Sequence, residues 1–262
     1  MRQIALITGA SSGIGLQLAQ HLLKNKTNIQ VIAVGRQLAP LQDLKDTFKE
    51  RLSIIQADIS TEAGRDSLLK VIADVSLVNF VIHCAAIVTP LKPLAEISYE
   101  QWQLTQQTNL DAPLFLTLKL LDKFSQSRVM FITSDVELQA VVGAGSYCIS
   151  KMALHMAWAC LKAEIPAHKA TFSLVAPGNV DTPMQAQIRQ TDPTHLPMAP
   201  MLNEYYLQGK LLDPKYVAQF LTWLLLDVKS NDYVGKIWNI YTEIASNRWP
   251  PKANESSESS VN

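Results

Sequence analysis

Short apolar runs alternate along this chain with longer stretches whose apolar positions recur every three or four residues. Ile4-Ala5-Leu6-Ile7 is a continuous apolar run, the pattern of a strand buried on both faces. Comparable runs predict strands over 29–34, 53–56, 77–82, 128–133, 171–176 and 236–241. Between the first two, Leu16, Leu18, Ala19, Leu22 and Leu23 stand at helical spacing, and Leu41 to Leu52 reads as a second helix. A third opens at Ser98, where Ser98 to Gln101 has the S-x-x-Q spacing of a capping box, and Trp102, Leu104, Leu110, Leu114, Leu118 and Leu121 carry it on. Ala153, Leu154, Met156, Ala157, Ala159, Cys160 and Leu161 extend another helix to Pro166, and Asp213-Pro214 starts one that runs through Val217, Phe220, Leu221, Leu224 and Leu225. Strands alternating with helices predict an α/β fold: one doubly wound domain, a mainly parallel sheet of about seven strands, and helices on both faces.

Residues 184–212 break the pattern. Prolines at 193, 197 and 200 and methionines at 198 and 201 predict an irregular, mobile, apolar lid. Residues 249–262 are rich in Ser, Glu, Asn and Pro and offer little to bury, so the folded domain is expected over 1–248 with a disordered tail after it.

The chain has 262 residues, 48% of them hydrophobic, enough for a single large core. Lys+Arg and Asp+Glu both number 23, and this zero net charge argues against a broad nucleic-acid or anionic-membrane footprint. Cys84, Cys148 and Cys160 show no C-x-x-C spacing, which suggests reduced thiols in a cytoplasmic protein. Met1-Arg2-Gln3 leads straight into an apolar strand, without the pattern of a cleavable signal, and no apolar run reaches the ~18 residues of a membrane span. His21, His155, His168 and His195 lack metal-ligand spacing, and no metal is expected.

Candidate chemistry begins at the first turn. Thr8-Gly9-Ala10-Ser11-Ser12-Gly13-Ile14-Gly15 lies between strand and helix, where glycines let the backbone approach a pyrophosphate and the helix N-terminus faces its charge. No acid stands at the end of the second strand to bind a ribose 2′-hydroxyl; Val34-Gly35-Arg36 stands there instead. Arg36 suits a 2′-phosphate, and hence NADP(H), unless it is an ordinary surface arginine. Ala57-Asp58-Ile59 ends the third strand, with Asp58 placed either to meet an adenine amino group or to cap the next helix with Ser60 or Thr61. Small residues in His83-Cys84-Ala85-Ala86 let a cofactor lie close. Asn109 sits inside the helix opened at Ser98, where Asn is a poor former, so a defined polar partner is expected unless it faces solvent.

Tyr147 and Lys151 are four apart, one turn from each other on one helix face. An ammonium about 4 Å from a phenol is worth roughly 4 kcal/mol at an effective dielectric near 20. That moves a tyrosine from ~10 to ~7, where it can both give and take a proton. Ser134 falls thirteen residues earlier, at the C-terminal end of the fifth strand, the edge where open α/β sheets bind ligands.

Together these residues resemble the short-chain dehydrogenase/reductase family over about residues 3 to 243. T-G-A-S-S-G-I-G is similar to its cofactor loop; Asn109, Ser134, Tyr147 and Lys151 match its catalytic tetrad; Pro177-Gly178 to Thr182 match its P-G-x-x-x-T loop. The resemblance implies a Rossmann-type fold and an NADP(H)-dependent oxidoreductase, with Tyr147 as general acid and Ser134 bonded to the carbonyl oxygen. It also implies that Lys151 binds the nicotinamide ribose and that Asn109 holds a water serving Lys151. Cofactor contacts are implied for Gly9, Ser11, Ser12, Gly13, Ile14, Gly15, Arg36, Asp58, Ile59, Ala85, Ala86, Asn109, Tyr147, Lys151, Pro177, Gly178, Val180 and Thr182. His83-Cys84-Ala85-Ala86 departs from the family's N-N-A-G, and His83 is a candidate to replace the lost Asn as the brace of that turn.

Asp181-Thr182-Pro183-Met184-Gln185 with Ile188-Arg189 is similar to the sepiapterin reductase and benzil reductase branch, which implies reduction of a ketone, often a vicinal dicarbonyl. Alternatives are a 3-oxoacyl thioester reductase acting on acyl carrier protein or CoA substrates, and a non-catalytic NADP-binding sensor or scaffold. Asp135 and Glu137 are candidates for a polar substrate contact. Met184, Met198, Met201, Leu202, Tyr205 and Tyr206 either line an apolar substrate pocket or pack the lid onto the core. By analogy with the family the protein is expected to form a homodimer or homotetramer. Leu116, Leu120, Met152, His155, Met156 and Trp158 would serve that face, unless they belong to the core.

Overall fold

The apolar runs form, among the described residues, one seven-stranded sheet in which every neighbouring pair is parallel. A computed structural model describes residues 2–134 and 139–249. The chain runs β1 (Gln3–Thr8), α1 (Gly13–Asn25), β2 (Ile29–Gly35), α2 (Leu38–Phe48), β3 (Leu52–Gln56), α3 (Glu62–Val71), β4 (Phe80–His83), α4 (Tyr99–Gln106) and α5 (Ala112–Lys119). It continues through β5 (Ser127–Ile132), α6 (Gly145–Glu164), β6 (Ala170–Ala176), α7 (Pro183–Arg189), α8 (Ala199–Leu207), α9 (Pro214–Leu226), α10 (Ser230–Tyr233), β7 (Ile237–Asn239) and α11 (Ile240–Ala245). Strand order is β3-β2-β1-β4-β5-β6-β7. The chain winds outward from β1, then returns to its other flank with β4. At that reversal the connections diverge and leave a crevice at the C-terminal strand ends.

Period-two alternation divides each strand between two core layers. Ala5 and Ile7 pack with Leu18, Leu22, Phe220 and Leu221, whereas Leu6 packs with Leu116, Leu154 and Phe172. A fully buried leucine contributes roughly 1.5–3 kcal/mol, so both faces of the sheet must be covered. Leu116, Leu120 and Trp158, which the sequence left open between core and subunit face, are buried in this second layer.

Several boundaries differ from expectation, each for a local reason. The second helix spans Leu38–Phe48, and Lys49 ends it at φ +46. The capping box at Ser98 forms as expected. The helix it opens is interrupted by a π turn over Gln107–Asp111, with the Ala112 N–H bonded to the Gln107 carbonyl. The last strand stops at Asn239, whose side chain caps α11 by accepting from the Tyr241 and Thr242 N–H groups. Residues 184–212 are irregular only in part: they hold most of α7 and all of α8, with turns over 190–198 between them. Of their prolines, Pro200 stands in the first turn of α8, where no N–H is needed, as Pro183 does in α7, while Pro193 and Pro197 lie in the turns between the two helices. Trp249, expected in the tail, is buried against Tyr216, Phe220 and Trp223, with ring centroids 5.6–5.8 Å away. Among the described residues no helix is long and apolar enough to cross a membrane.

His83 closes β4 inside the protein. Its ring stacks on Phe131 at 5.1 Å, and Nε2 lies 3.0 Å from Thr117 Oγ1. The Thr117 hydroxyl gives its one proton to the Pro113 carbonyl, so His83 Nε2 carries the proton that Thr117 accepts. Nδ1 is left buried without a partner among the described residues. Burial pushes this imidazole from 6.5 down to about 3. The unfolded chain therefore takes up a proton at His83 below pH ~6.5, whereas the folded protein does not until about pH 3. The contribution is fully present above pH ~6.5 and is lost at about 1.4 kcal/mol per unit as the pH falls. In urea titrations at pH 7 and pH 5, His83→Phe is expected to lose about 2 kcal/mol less than the wild type over that interval. Equal losses would refute the assignment.

Candidate active site

The crevice at the sheet reversal is a cavity of about 510 Å³. One wall is the turn from β1 into α1: Gly9, Ser11, Ser12, Gly13, Ile14 and Gly15 all line it. Gly9 has φ +70, and a Cβ there would stand 2.7 Å from the Ala85 nitrogen, so only glycine lets this turn lie against the end of β4. Ser12 begins α1 without a side-chain cap, and no acid stands in the first turn. The first N–H groups of α1 are thus left for an anionic ligand, which fits the pyrophosphate of a dinucleotide.

Arg36, exposed at the end of β2, lines the same cavity, as do Asp58 and Ile59 after β3. The two readings of Asp58 resolve in part. Thr61 caps α3, accepting from the Gly64 N–H at 3.0 Å, while Asp58 Oδ1 accepts from the Ser60 N–H and hydroxyl at 3.0 and 2.7 Å. Asp58 therefore shapes the turn and still borders the crevice.

Ala85 and Ala86 continue the floor beyond β4. His83 does not brace this turn, for its ring points to Thr117 and Phe131. Thr8 and Asn109 do so instead. The Ala85 N–H donates to Thr8 Oγ1 at 3.3 Å. The Asn109 carboxamide takes both polar groups of Ile87, accepting from its N–H and donating to its carbonyl, each at 2.8 Å. Its second donor goes to Ser150 Oγ at 2.9 Å. Asn109 has the defined partners expected of it, yet at 1% exposure it lies behind the cavity wall and not on it.

Ser134, Tyr147 and Lys151 share the opposite wall. The Tyr147–Lys151 spacing on α6 holds: Lys151 Nζ lies 5.6 Å from the Tyr147 ring centroid. That ammonium is only 3% exposed and donates to the Ile132 carbonyl at 2.8 Å, which offsets part of its desolvation. Pro177, Gly178, Val180 and Thr182 also line the cavity. Met184 lines the cavity with Met198 and Leu202, but Tyr205 does not. The Tyr205 ring instead faces the Lys210 ammonium at 5.3 Å, while Met201 and Tyr206 lie outside the cavity, exposed at the surface. The rotation of α8 decides this, and spacing alone could not reveal it. Asp135 and Glu137 lie outside the described residues.

The structure adds wall residues that no motif announced, among them Leu91, Val141 and Leu196, and puts Gln185 and Ile188, quoted only as motif positions, on the wall as well. Cys84 also reaches the crevice; burial pushes its thiol up to about 12, only partly countered by Lys151.

A parallel sheet of this order with a crevice at its reversal defines the nucleotide-binding doubly wound class, and comparison with known proteins narrows it. Residues 3–193 match the short chain dehydrogenase family. A benzil reductase ((S)-benzoin forming) of Bacillus cereus is 32% identical over 235 residues, 84% of this chain and 92% of that protein. The crystal structure of YIR035C, a short chain dehydrogenases/reductase of Saccharomyces cerevisiae, aligns with a TM-score of 0.84 at 25% identity, over 90% of this chain and 95% of that one. A Beutenbergia cavernae structure described as a putative NAD(P) dependent gluconate 5-dehydrogenase, with bound NADP, shares the fold with a TM-score of 0.76 at 23% identity, over 90% and 94%. The chain belongs to the short chain dehydrogenase family and is an oxidoreductase of that family.

Proposed function

We propose that this protein reduces a ketone, of the vicinal dicarbonyl class, to an alcohol with NADPH. One observation carries the reading: Ser134, Tyr147 and Lys151 share a cavity with the glycine loop of the nucleotide site. The likeness to a benzil reductase supports the substrate class, and the likeness to an NADP-bound structure supports a pyridine nucleotide.

The bound NADPH supplies the hydride. Ser134 donates a hydrogen bond to the substrate carbonyl oxygen and steadies it as negative charge grows. Tyr147 gives that oxygen a proton. The nearby Lys151 ammonium favours the phenolate left behind. Asn109 has both N–H donors committed to Ile87 and Ser150, so its side chain positions the machinery and leaves any water to its backbone. Arg36 would hold the 2′-phosphate, since β2 ends without an acid. Exposed Phe115, Leu118, Met152 and Met156 would pair copies of the chain as a homo-oligomer.

NADPH oxidation with a panel of diketones, quinones and acyl thioesters tests the substrate class; the diketones are expected to be turned over fastest, and faster acyl thioesters would overturn that choice. Tyr147→Phe should lower kcat at least ~100-fold while the nucleotide Kd stays within ~3-fold. A near-normal kcat would remove Tyr147 from the mechanism. Arg36→Ala should lower the preference for NADPH over NADH about 10-fold or more, as loss of a charged hydrogen bond implies. An unchanged ratio of kcat/KM values would count against NADP specificity through Arg36.

A further inference from the structure

We propose that Gln185 is a specificity-determining residue whose amide nitrogen donates a hydrogen bond to the second oxygen of a vicinal dicarbonyl. The inference rests on the reading of the crevice as a carbonyl reductase site and names what selects its substrate.

Gln185 is the third residue of α7, only 6% exposed, and part of the cavity wall. Its backbone is fixed by the Thr182 cap, whose hydroxyl accepts from the Gln185 N–H at 3.3 Å. Its side chain is fixed by Arg189, which donates to Gln185 Oε1 at 2.5 Å. Arg189 is itself held twice: it donates to Asp181 at 3.3 Å, and its guanidinium lies 3.9 Å from the Tyr206 ring centroid. A guanidinium only donates, so the arm of the carboxamide turned to Arg189 must be the oxygen. The other arm is then the NH₂ group. It is buried and has no hydrogen-bond partner among the described residues. Native structures pair such groups, and a buried donor left without an acceptor destabilises the state that contains it.

Among the described residues no acceptor meets this nitrogen, and a ligand in the crevice that Gln185 lines supplies one. The cavity wall that includes Gln185 also carries the apolar side chains of Leu91, Val141, Ile188, Leu196, Met198 and Leu202. One polar donor in such a lining fixes the orientation of a largely apolar ligand. A monoketone has a single oxygen, which Ser134 and Tyr147 take. A vicinal dicarbonyl has a second acceptor on the adjacent carbon, and Gln185 Nε2 is a lining donor whose hydrogen bonds are not already taken among the described residues.

The test compares benzil with deoxybenzoin, which keeps both rings and lacks one oxygen. Gln185→Leu and Gln185→Glu are assayed with NADPH, alongside nucleotide Kd and thermal melting. Gln185→Glu keeps the size and the Arg189 partner but removes the donor, so it reports on the proposal even where Gln185→Leu fails to fold. Expected is a loss of about 5- to 30-fold in kcat/KM for benzil against less than ~2-fold for deoxybenzoin. Equal losses on both ketones, no loss on either, or a weakened nucleotide Kd that accounts for the loss would overturn it. Wild-type turnover of both ketones with no differential effect defeats the Gln185 assignment alone. Wild-type turnover of neither defeats the carbonyl reductase reading as well.

Discussion

Three distant pieces of chain are held together at one buried carboxamide. Asn109 bonds to both polar groups of Ile87, beyond the end of β4, and to the Ser150 hydroxyl on α6. Ser150 in turn donates to the Tyr147 carbonyl at 2.7 Å. The floor of the crevice and the helix bearing the tyrosine and lysine are thereby tied to a common point. Each bond alone contributes roughly 0.5–1.5 kcal/mol, but breaking one strands a buried partner at a cost of about 1–3 kcal/mol. The network therefore behaves as a unit. The π turn over Gln107–Asp111 carries Asn109 within the otherwise helical run from α4 to α5, at the place where helix, turn and α6 meet.

Strand order does the remaining assembly. Gly9, Arg36, Asp58, Ala85, Ser134 and Gly178 are far apart in sequence, yet each follows the C-terminal end of a parallel strand. In a parallel sheet those ends share one edge, so loops of quite different length deliver their side chains to one cavity. Met184 and Ile188 of α7, Met198 just before α8 and Leu202 of α8 add apolar side chains to the wall of the same crevice.

What could be read from the residues was what local chemistry determines. The alternation of Leu6 with Ala5 and Ile7, the capping box at Ser98 and the i, i+4 pair on α6 all appear as the pattern implies. So does the glycine loop, because its requirement for close backbone approach admits few residues. The misjudged positions depend on contacts that have no sequence signature. Pro200 resembles a breaker unless one knows that a helix begins there. Trp249 stands beside a polar tail, and only Tyr216, Phe220 and Trp223 draw it into the body. His83 occupies the place of a bracing Asn but turns to Thr117, and Tyr205 lies one helical rotation away from the substrate side. Gln185 was legible only as part of a motif; its lack of an acceptor is a fact of packing.

The thiol of Cys84 borders the same cavity, and burial keeps it protonated far above neutral pH. Thiolates, unlike thiols, add readily to electrophilic carbon. A sulfur held as S–H beside the crevice is therefore a weak nucleophile toward whatever binds there.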